Sequence, residues 1–169
     1  MKNVKKIAVA LVLFIAATSF VNAQSKVAHI DVSQLLSEMP EMIAAQAEIK
    51  KLGETYRADI EGSMTELKNK YTQYSNEATT MSEEENQKRA AELQDADKNI
   101  ANAQQTAQQE LQKKQAELFA PISKKAQEAI EKVAAAQGFD YVLDATQGTG
   151  LIVFKGKDLL PEVKKELGF

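Results

Sequence analysis

The most regular feature of the chain is a narrow stripe of apolar residues that recurs at helical spacing through its first half. Successive members lie three or four residues apart, and the positions between them are mostly charged or amide residues. A stripe one residue wide over about eight turns is typical of a coiled-coil seam, not of the broad apolar face of a globular helix. The stripe consists of Ala45, Ile49, Leu52, Tyr56, Ile60, Met64, Leu67, Tyr71 and Tyr74.

A second helix is predicted to begin after a short polar interruption. Ser82 and Glu85 form a capping-box pattern, which places the helix start near Glu83, and Gly138 is a good helix stop. Its stripe contains Leu93, Ala96, Ile100, Ala103, Ala107, Leu111, Leu118 and Ile122. If the chain folds back at residues 81–82, Leu52 faces Leu111 and Leu67 faces Ala96, so the two stripes mesh. Residues 40–121 are therefore predicted to form an antiparallel helical hairpin, the arm, with its tip near 79–82.

Three residues are expected to affect the shape of the arm. Pro121 lies in the second helix, at the point where its pairing with the first helix ends. Because proline removes a helical hydrogen bond, we expect a kink there. Gly53 and Gly62 each cost a helix about 1 kcal/mol relative to alanine. One hypothesis is that these glycines soften the arm; the alternative is that they are tolerated surface residues.

Beyond the N-terminal segment, the chain contains short apolar runs typical of β-strands, one near its start and two near its end. We predict strands at 26–32 ("KVAHIDV"), 141–145 ("YVLDA") and 151–155 ("LIVFK"), the last two forming a hairpin around Gly148 and Gly150. A closing helix, "LLPEVKKEL", is expected to be capped by Asp158. Residues 24–39 and 122–169 thus form a small β-rich body that carries the arm, which is an α+β fold.

The body is predicted to be part of an oligomer, because three short strands and two helical pieces bury little apolar surface. A nearly continuous apolar run such as "LIVF" is also typical of a strand that is buried on both faces. The expected oligomer core consists of Ile30, Val32, Val142, Leu143, Ile152, Val153 and Phe154.

The N-terminus has the pattern of a secretory signal peptide. Three lysines precede the apolar run 7–21, which ends in the small-residue site Val21-Asn22-Ala23. The alternative is a retained membrane anchor, but a spanning helix needs about 20 apolar residues. We therefore expect residues 1–23 to be cleaved after export, with no stable membrane insertion of the remaining chain.

Composition narrows the possible functions. Cleavage would remove three of the 21 basic residues and none of the 24 acidic ones, which leaves a net charge of −6. This acidity argues against binding to nucleic acid, which needs a basic surface. The chain has no cysteine, and its one histidine, His29, cannot form a zinc site alone, so we expect it to pack structurally. No catalytic constellation is apparent, and neither a cofactor nor a bound metal nor enzymatic activity is expected.

Three segments resemble the Skp/OmpH family of periplasmic chaperones: "VAHIDVSQLLSEMPE" (27–41), "APISKKAQEAIEKVAAAQGFDYVLDAT" (120–146) and "GLIVFKGKDLLPEVKKEL" (150–167). The resemblance implies a homotrimer whose body is built from both chain ends and whose three arms surround a cavity. Unfolded outer-membrane proteins would be held in that cavity without ATP. The chain departs from the best-known members, which are strongly basic, by being acidic.

The arm carries several methionines and tyrosines that are candidates for client contact, because methionine adapts to varied partners. They are Met42, Tyr56, Met64, Tyr71, Tyr74 and Met81. The alternative is that Tyr56, Met64, Tyr71 and Tyr74 simply fill the seam. A different function, that of a structural envelope scaffold or spacer without chaperone activity, is also compatible with the pattern.

Overall fold

The computed structural model describes residues 25–169, and the predicted signal peptide lies outside them. The elements, in chain order, are β1 (Val27–Ile30), α1 (Val32–Glu38), α2 (Pro40–Glu77), α3 (Glu83–Gln137), β2 (Tyr141–Asp144), β3 (Lys157–Asp158) and α4 (Leu160–Leu167). No helix within 25–169 has the length and apolarity that crossing a membrane requires.

The ends of the two long helices agree with the sequence signals. Pro40 lies in the first turn of α2, where its missing N–H costs nothing. At the start of α3, the Ser82 hydroxyl accepts a hydrogen bond from the Glu85 N–H at 3.2 Å. Gly138 ends α3 with φ +70°, a left-handed conformation that glycine adopts without steric cost. The predicted cap and stop are thus confirmed.

Helices α2 and α3 run antiparallel along the arm. Lys114 pairs with Glu48 at 2.9 Å, and Lys70 pairs with Glu92 at 2.6 Å, so later positions in α2 meet earlier ones in α3. With 38 residues, α2 is about 57 Å long at 1.5 Å per residue. Helix α3 continues through Pro121 without interruption, and the kink expected there stays a prediction.

The sheet corrects the predicted β-hairpin. Its order is β2-β1-β3 and both pairings are parallel, with Val27 opposite Tyr141 and Ala28 opposite Lys157. The predicted strand 151–155 is wrong: this segment is irregular, although Gly148 and Gly150 do adopt positive φ in the preceding turn. The physical reason is that β2 and β3 both run parallel to β1 and lie on opposite sides of it, so residues 145–156 form the crossover from one edge of the sheet to the other and not the second strand of a hairpin.

The segment 151–155 instead lies against the outer face of the sheet, the face turned away from α3. The Phe154 ring approaches the His29 ring with a centroid distance of 4.8 Å. His29 is buried by this contact, which confirms its predicted packing role.

The core of the body lies between the sheet and the last part of α3. Ala28 and Ile30 point from β1 into a buried cluster that includes Ala126, Val133 and Leu35. Residues 122–137 therefore cover the body, as predicted, although they also meet the start of α2, where Lys125 pairs with Glu41. Leu159 and Val163 close the cluster from the side of α4.

Several element boundaries differ by one or two residues from those predicted. The first strand ends at Ile30 because the Asp31 carboxylate caps α1, accepting a hydrogen bond from the Gln34 N–H at 2.8 Å. Val32 is consequently the first residue of α1, not a strand residue. The cap of α4 is Leu159 and not Asp158, but the Asp158 carboxylate still accepts a hydrogen bond from the Leu160 N–H at 2.9 Å.

Candidate functional surfaces

A network of charged and aromatic side chains holds the two helices together at the tip of the arm. The Tyr74 hydroxyl donates to one oxygen of Glu92 at 2.8 Å, while the Lys70 ammonium donates to the other at 2.6 Å. The Arg89 guanidinium lies 4.5 Å from the centre of the Tyr74 ring and donates to Glu77 at 2.8 Å. The last turns of α2 are thereby fixed against the first turns of α3.

The protonation equilibria at the tip reflect these contacts. Hydrogen bonds from Lys70 and then from Tyr74 lower the pKa of Glu92. The same contact raises the pKa of Lys70, because the carboxylate stabilises the ammonium. Hydrogen bonds from Gln73 and Arg89 likewise lower the pKa of Glu77. The carboxylates and cations of the network are therefore charged at neutral pH, while the Tyr74 hydroxyl, whose pKa is raised by its hydrogen bond to Glu92, stays neutral.

Two predicted client-contact residues, Met64 and Tyr71, stand out from one side of the seam. Met64 is 51 % exposed and Tyr71 is 65 % exposed, and their spacing of seven residues places them on one edge of α2. Beside Tyr71 is a shallow depression that Leu67, Ala90 and Leu93 also line. Solvent-exposed apolar side chains thus follow this edge, which we call the Met64/Tyr71 edge.

The other four candidates differ in accessibility. Met42 is buried in the core of the body, so its assignment to client contact is wrong: the side chain faces Ala126 and its neighbours and not solvent. Tyr56 and Tyr74 are half-buried, Tyr56 in the seam and Tyr74 in the tip network. Met81 is exposed in the turn at the tip.

On the opposite side of the seam, a groove of about 650 Å³ opens in the middle of the arm. Its floor contains Tyr56, Ile60, Ile100 and Ala107, together with the exposed Ala103. Because alanine is too small to fill the space opposite Tyr56 and Ile60, the seam does not close on this side. The alanines of α3 therefore create a groove where the sequence pattern predicts tight interdigitation.

The outer face of the sheet is apolar and accessible. Ile152 is 91 % exposed and Val153 is 71 % exposed, with Phe154 and Leu143 next to them. Val27 and Tyr141 are exposed on the same face, since they are paired in the sheet register. Val27 and Tyr141 are not among the predicted oligomer-core residues. Leu143, a predicted member two residues from Tyr141, gives a signal for Tyr141 alone, because side chains alternate along a strand. We call these six residues the outer apolar face.

Three of the predicted oligomer-core residues lie elsewhere. Ile30 is only 1 % exposed because it is enclosed in the core of its own chain, so its assignment to a subunit contact is corrected. Val32 and Val142 are half-buried and pack against that same core. The alternation of β1 explains the difference: Ala28 and Ile30 face the helices, whereas Val27 and His29 face outward.

This chain is similar in sequence to proteins of one known family. Residues 26–167 match a family described as Outer membrane protein (OmpH-like). A protein named Chaperone protein Skp from Pectobacterium atrosepticum is 22 % identical over 160 residues, which cover 95 % of this chain and 96 % of the relative. The Chaperone protein Skp of Photorhabdus laumondii is 25 % identical over 168 residues, covering 96 % and 99 % respectively.

A solved structure supports the same placement of the fold. The crystal structure of a putative outer membrane chaperone (OmpH-like) from Caulobacter crescentus superposes with a TM-score of 0.74 at 19 % sequence identity. The match covers 87 % of this chain and 86 % of the other. Because the family match spans nearly all the described residues and the fold agrees, this chain is a member of the Skp/OmpH family.

Proposed function

We propose that this protein is an ATP-independent periplasmic chaperone that binds unfolded outer-membrane proteins between its helical arms and keeps them from aggregating. The observation that carries the proposal is the Met64/Tyr71 edge, where large apolar side chains remain exposed along a thin arm. Separated contacts of this kind suit many unfolded partners better than one rigid pocket. The relatives named as chaperones support the same activity.

Three parts of the chain would have different roles. Residues 1–23 would direct export and then be removed, residues 40–121 would form the arm, and residues 24–39 with 122–169 would form the body. The body would assemble three chains through the outer apolar face, because apolar residues as exposed as Ile152 and Val153 are typical of an interaction surface. Three arms projecting from one body would then enclose the client.

The proposal is tested by dilution of a urea-unfolded outer-membrane β-barrel into buffer, with aggregation followed by light scattering. We expect the mature protein to suppress scattering without any nucleotide. If a large excess of the protein gives no protection, the chaperone proposal is wrong and the scaffold alternative is favoured.

A pair of variants tests the Met64/Tyr71 edge. Met64→Gln with Tyr71→Gln should weaken client binding roughly thirtyfold, since each partly exposed side chain can bury enough surface for about 1 kcal/mol. The matched control is Thr65→Gln with Thr72→Gln, exposed neighbours at the same spacing, which should bind as the unchanged protein does. Equal loss in both variants would show that this edge is not the contact surface.

A further inference from the structure

The groove in the middle of the arm differs chemically from the Met64/Tyr71 edge. It lies between two interhelical ion pairs, Glu48–Lys114 toward the body and Lys70–Glu92 toward the tip. Among the described residues, no ion pair joins α2 to α3 in the span between those two. The helices are thus held on both sides of the groove, and the apolar floor between them is open to solvent.

The rim of the groove is acidic. Asp59 and Glu66 line it, and neither has a salt-bridge partner within the part of the chain that the structure describes. The one cation in the lining, Lys70, donates its hydrogen bond to Glu92, and Glu66 lies close enough to the same ammonium to help raise its pKa, so the acidic groups still outnumber the cation. The arm as a whole, residues 40–121, carries 15 acidic and 10 basic residues. A ligand of this groove should therefore be cationic.

The rim also offers hydrogen-bonding groups suited to a peptide backbone. Asn99, Asn102 and Thr106 line the α3 side of the groove, and Ser63 lines the α2 side. A side-chain amide both donates and accepts, as an extended main chain requires. Lining residues extend from Tyr56 to Lys70, which is about 21 Å along a helix. That length fits about six residues of extended chain at 3.3 Å per residue.

We infer that this groove binds a short extended segment of unfolded polypeptide in which lysine or arginine alternates with apolar residues. The apolar side chains would contact the floor around Ile60 and Ala103, and the cationic ones would reach Asp59 and Glu66. Strands of membrane β-barrels alternate between polar and apolar residues, so those strands of an unfolded client whose polar positions carry lysine or arginine would supply such segments. The inference rests on the proposed chaperone function and adds to it a preference for basic segments.

Peptide binding tests the inference directly. A fluorescent octapeptide of alternating lysine and valine should bind the full mature protein at least tenfold more tightly than one of alternating glutamate and valine. Ala103→Phe should fill the groove and weaken binding of the lysine peptide at least tenfold. Its control, Ala101→Phe, lies on the opposite side of α3 and should leave binding unchanged. Equal binding of the two peptides, or equal effects of the two variants, would overturn the inference.

A second pair of variants avoids any change in shape. Asp59→Asn with Glu66→Gln should weaken binding of the lysine peptide about threefold to tenfold, as expected for two partly screened ion pairs. The control, Glu54→Gln with Glu61→Gln, removes the same charge from the opposite side of α2 and should have no such effect. Equal weakening in the two double variants, or none in either, would show that net charge or another surface governs binding.

The aggregation assay separates this inference from the chaperone proposal. Suppose that the unchanged protein protects the unfolded barrel, and that the Ala103→Phe variant protects it equally and still binds the lysine peptide. In that case only the groove assignment fails. If the unchanged protein gives no protection, the chaperone proposal fails. Cross-linking that joins the groove to the arm of a second copy, in place of the peptide, would also overturn the groove assignment.

Discussion

Substitution of Ile152 by glutamate should dissociate the proposed trimer while the arms remain helical. Ile152 is 91 % exposed in a single chain, so the substitution removes almost no contact within that chain. Exposed substitutions of this kind usually change the free energy of unfolding by no more than about 0.5 kcal/mol. Any large effect must then come from contacts with other subunits.

The expected size of the effect follows from the burial of this side chain. Fully burying one isoleucine side chain in a subunit interface contributes about 1.5 to 3 kcal/mol to the association free energy. Three subunits together would lose roughly 5 to 9 kcal/mol of association free energy, which weakens assembly by about a thousandfold or more. Burying a carboxylate in the same interface adds a further penalty.

Sedimentation velocity at micromolar concentration and circular dichroism together decide this prediction. The expected result is a shift to single chains with unchanged helical signal. Met64→Glu, which places the same charge on an exposed apolar residue of the arm, should leave the oligomer intact. An Ile152→Glu protein that stays assembled with unchanged affinity would refute the assignment of the outer apolar face to subunit contact.

Three further predictions concern stability and motion. Replacing Gly53 and Gly62 by alanine should stabilise the arm by about 1 kcal/mol for each residue, because the added methyl group meets only the Leu111 side chain at 3.8 Å at position 53 and nothing within 4 Å at position 62. The distributions of spin-label distances across the arm should become narrower, and unchanged distributions would refute the softening hypothesis. Because the pKa of Glu92 is lowered in the folded chain, its contribution to stability is present at neutral pH and is lost as pH falls through that lowered value, below the ordinary value of about 4.3. The midpoint temperature of thermal unfolding should therefore fall as the pH is lowered from 5 to 3, and this fall should be smaller in Glu92→Gln. The same dependence of that temperature on pH in both proteins would contradict this. Leu35→Ala, at a fully buried site of the body, should cost about 2 to 5 kcal/mol in urea unfolding, and a loss below about 1 kcal/mol would show that the core is mispositioned.

The helical part of the fold could be predicted from local signals. Ser82 and Gly138 mark helix ends through backbone hydrogen bonding and φ preference, which act within a few residues. The alignment of Leu52 with Leu111 follows from two periodic stripes and one turn. It agrees with the structure, where the Leu111 side chain lies 3.8 Å from the position that a Cβ would take at Gly53. Periodicity did not predict the groove, since it does not show on which side of the seam Ala103 leaves space unfilled.

The sheet was harder to predict because short apolar runs look alike. The residues of β2 and the segment 151–155 share composition, yet only β2 pairs with β1. Strand pairing depends on long-range competition for the two edges of β1, which no local pattern records. The same limit explains why Ile30 was assigned to an oligomer core: alternation gives two faces but does not say which one meets the helices.

Native mass spectrometry of the mature protein, alone and with an unfolded outer-membrane β-barrel, tests the central proposal most directly. We expect an assembly of three chains, and a complex of three chains with one client that forms without nucleotide. A protein that remains a single chain, or a trimer that captures no client at any concentration where the barrel aggregates, would contradict it.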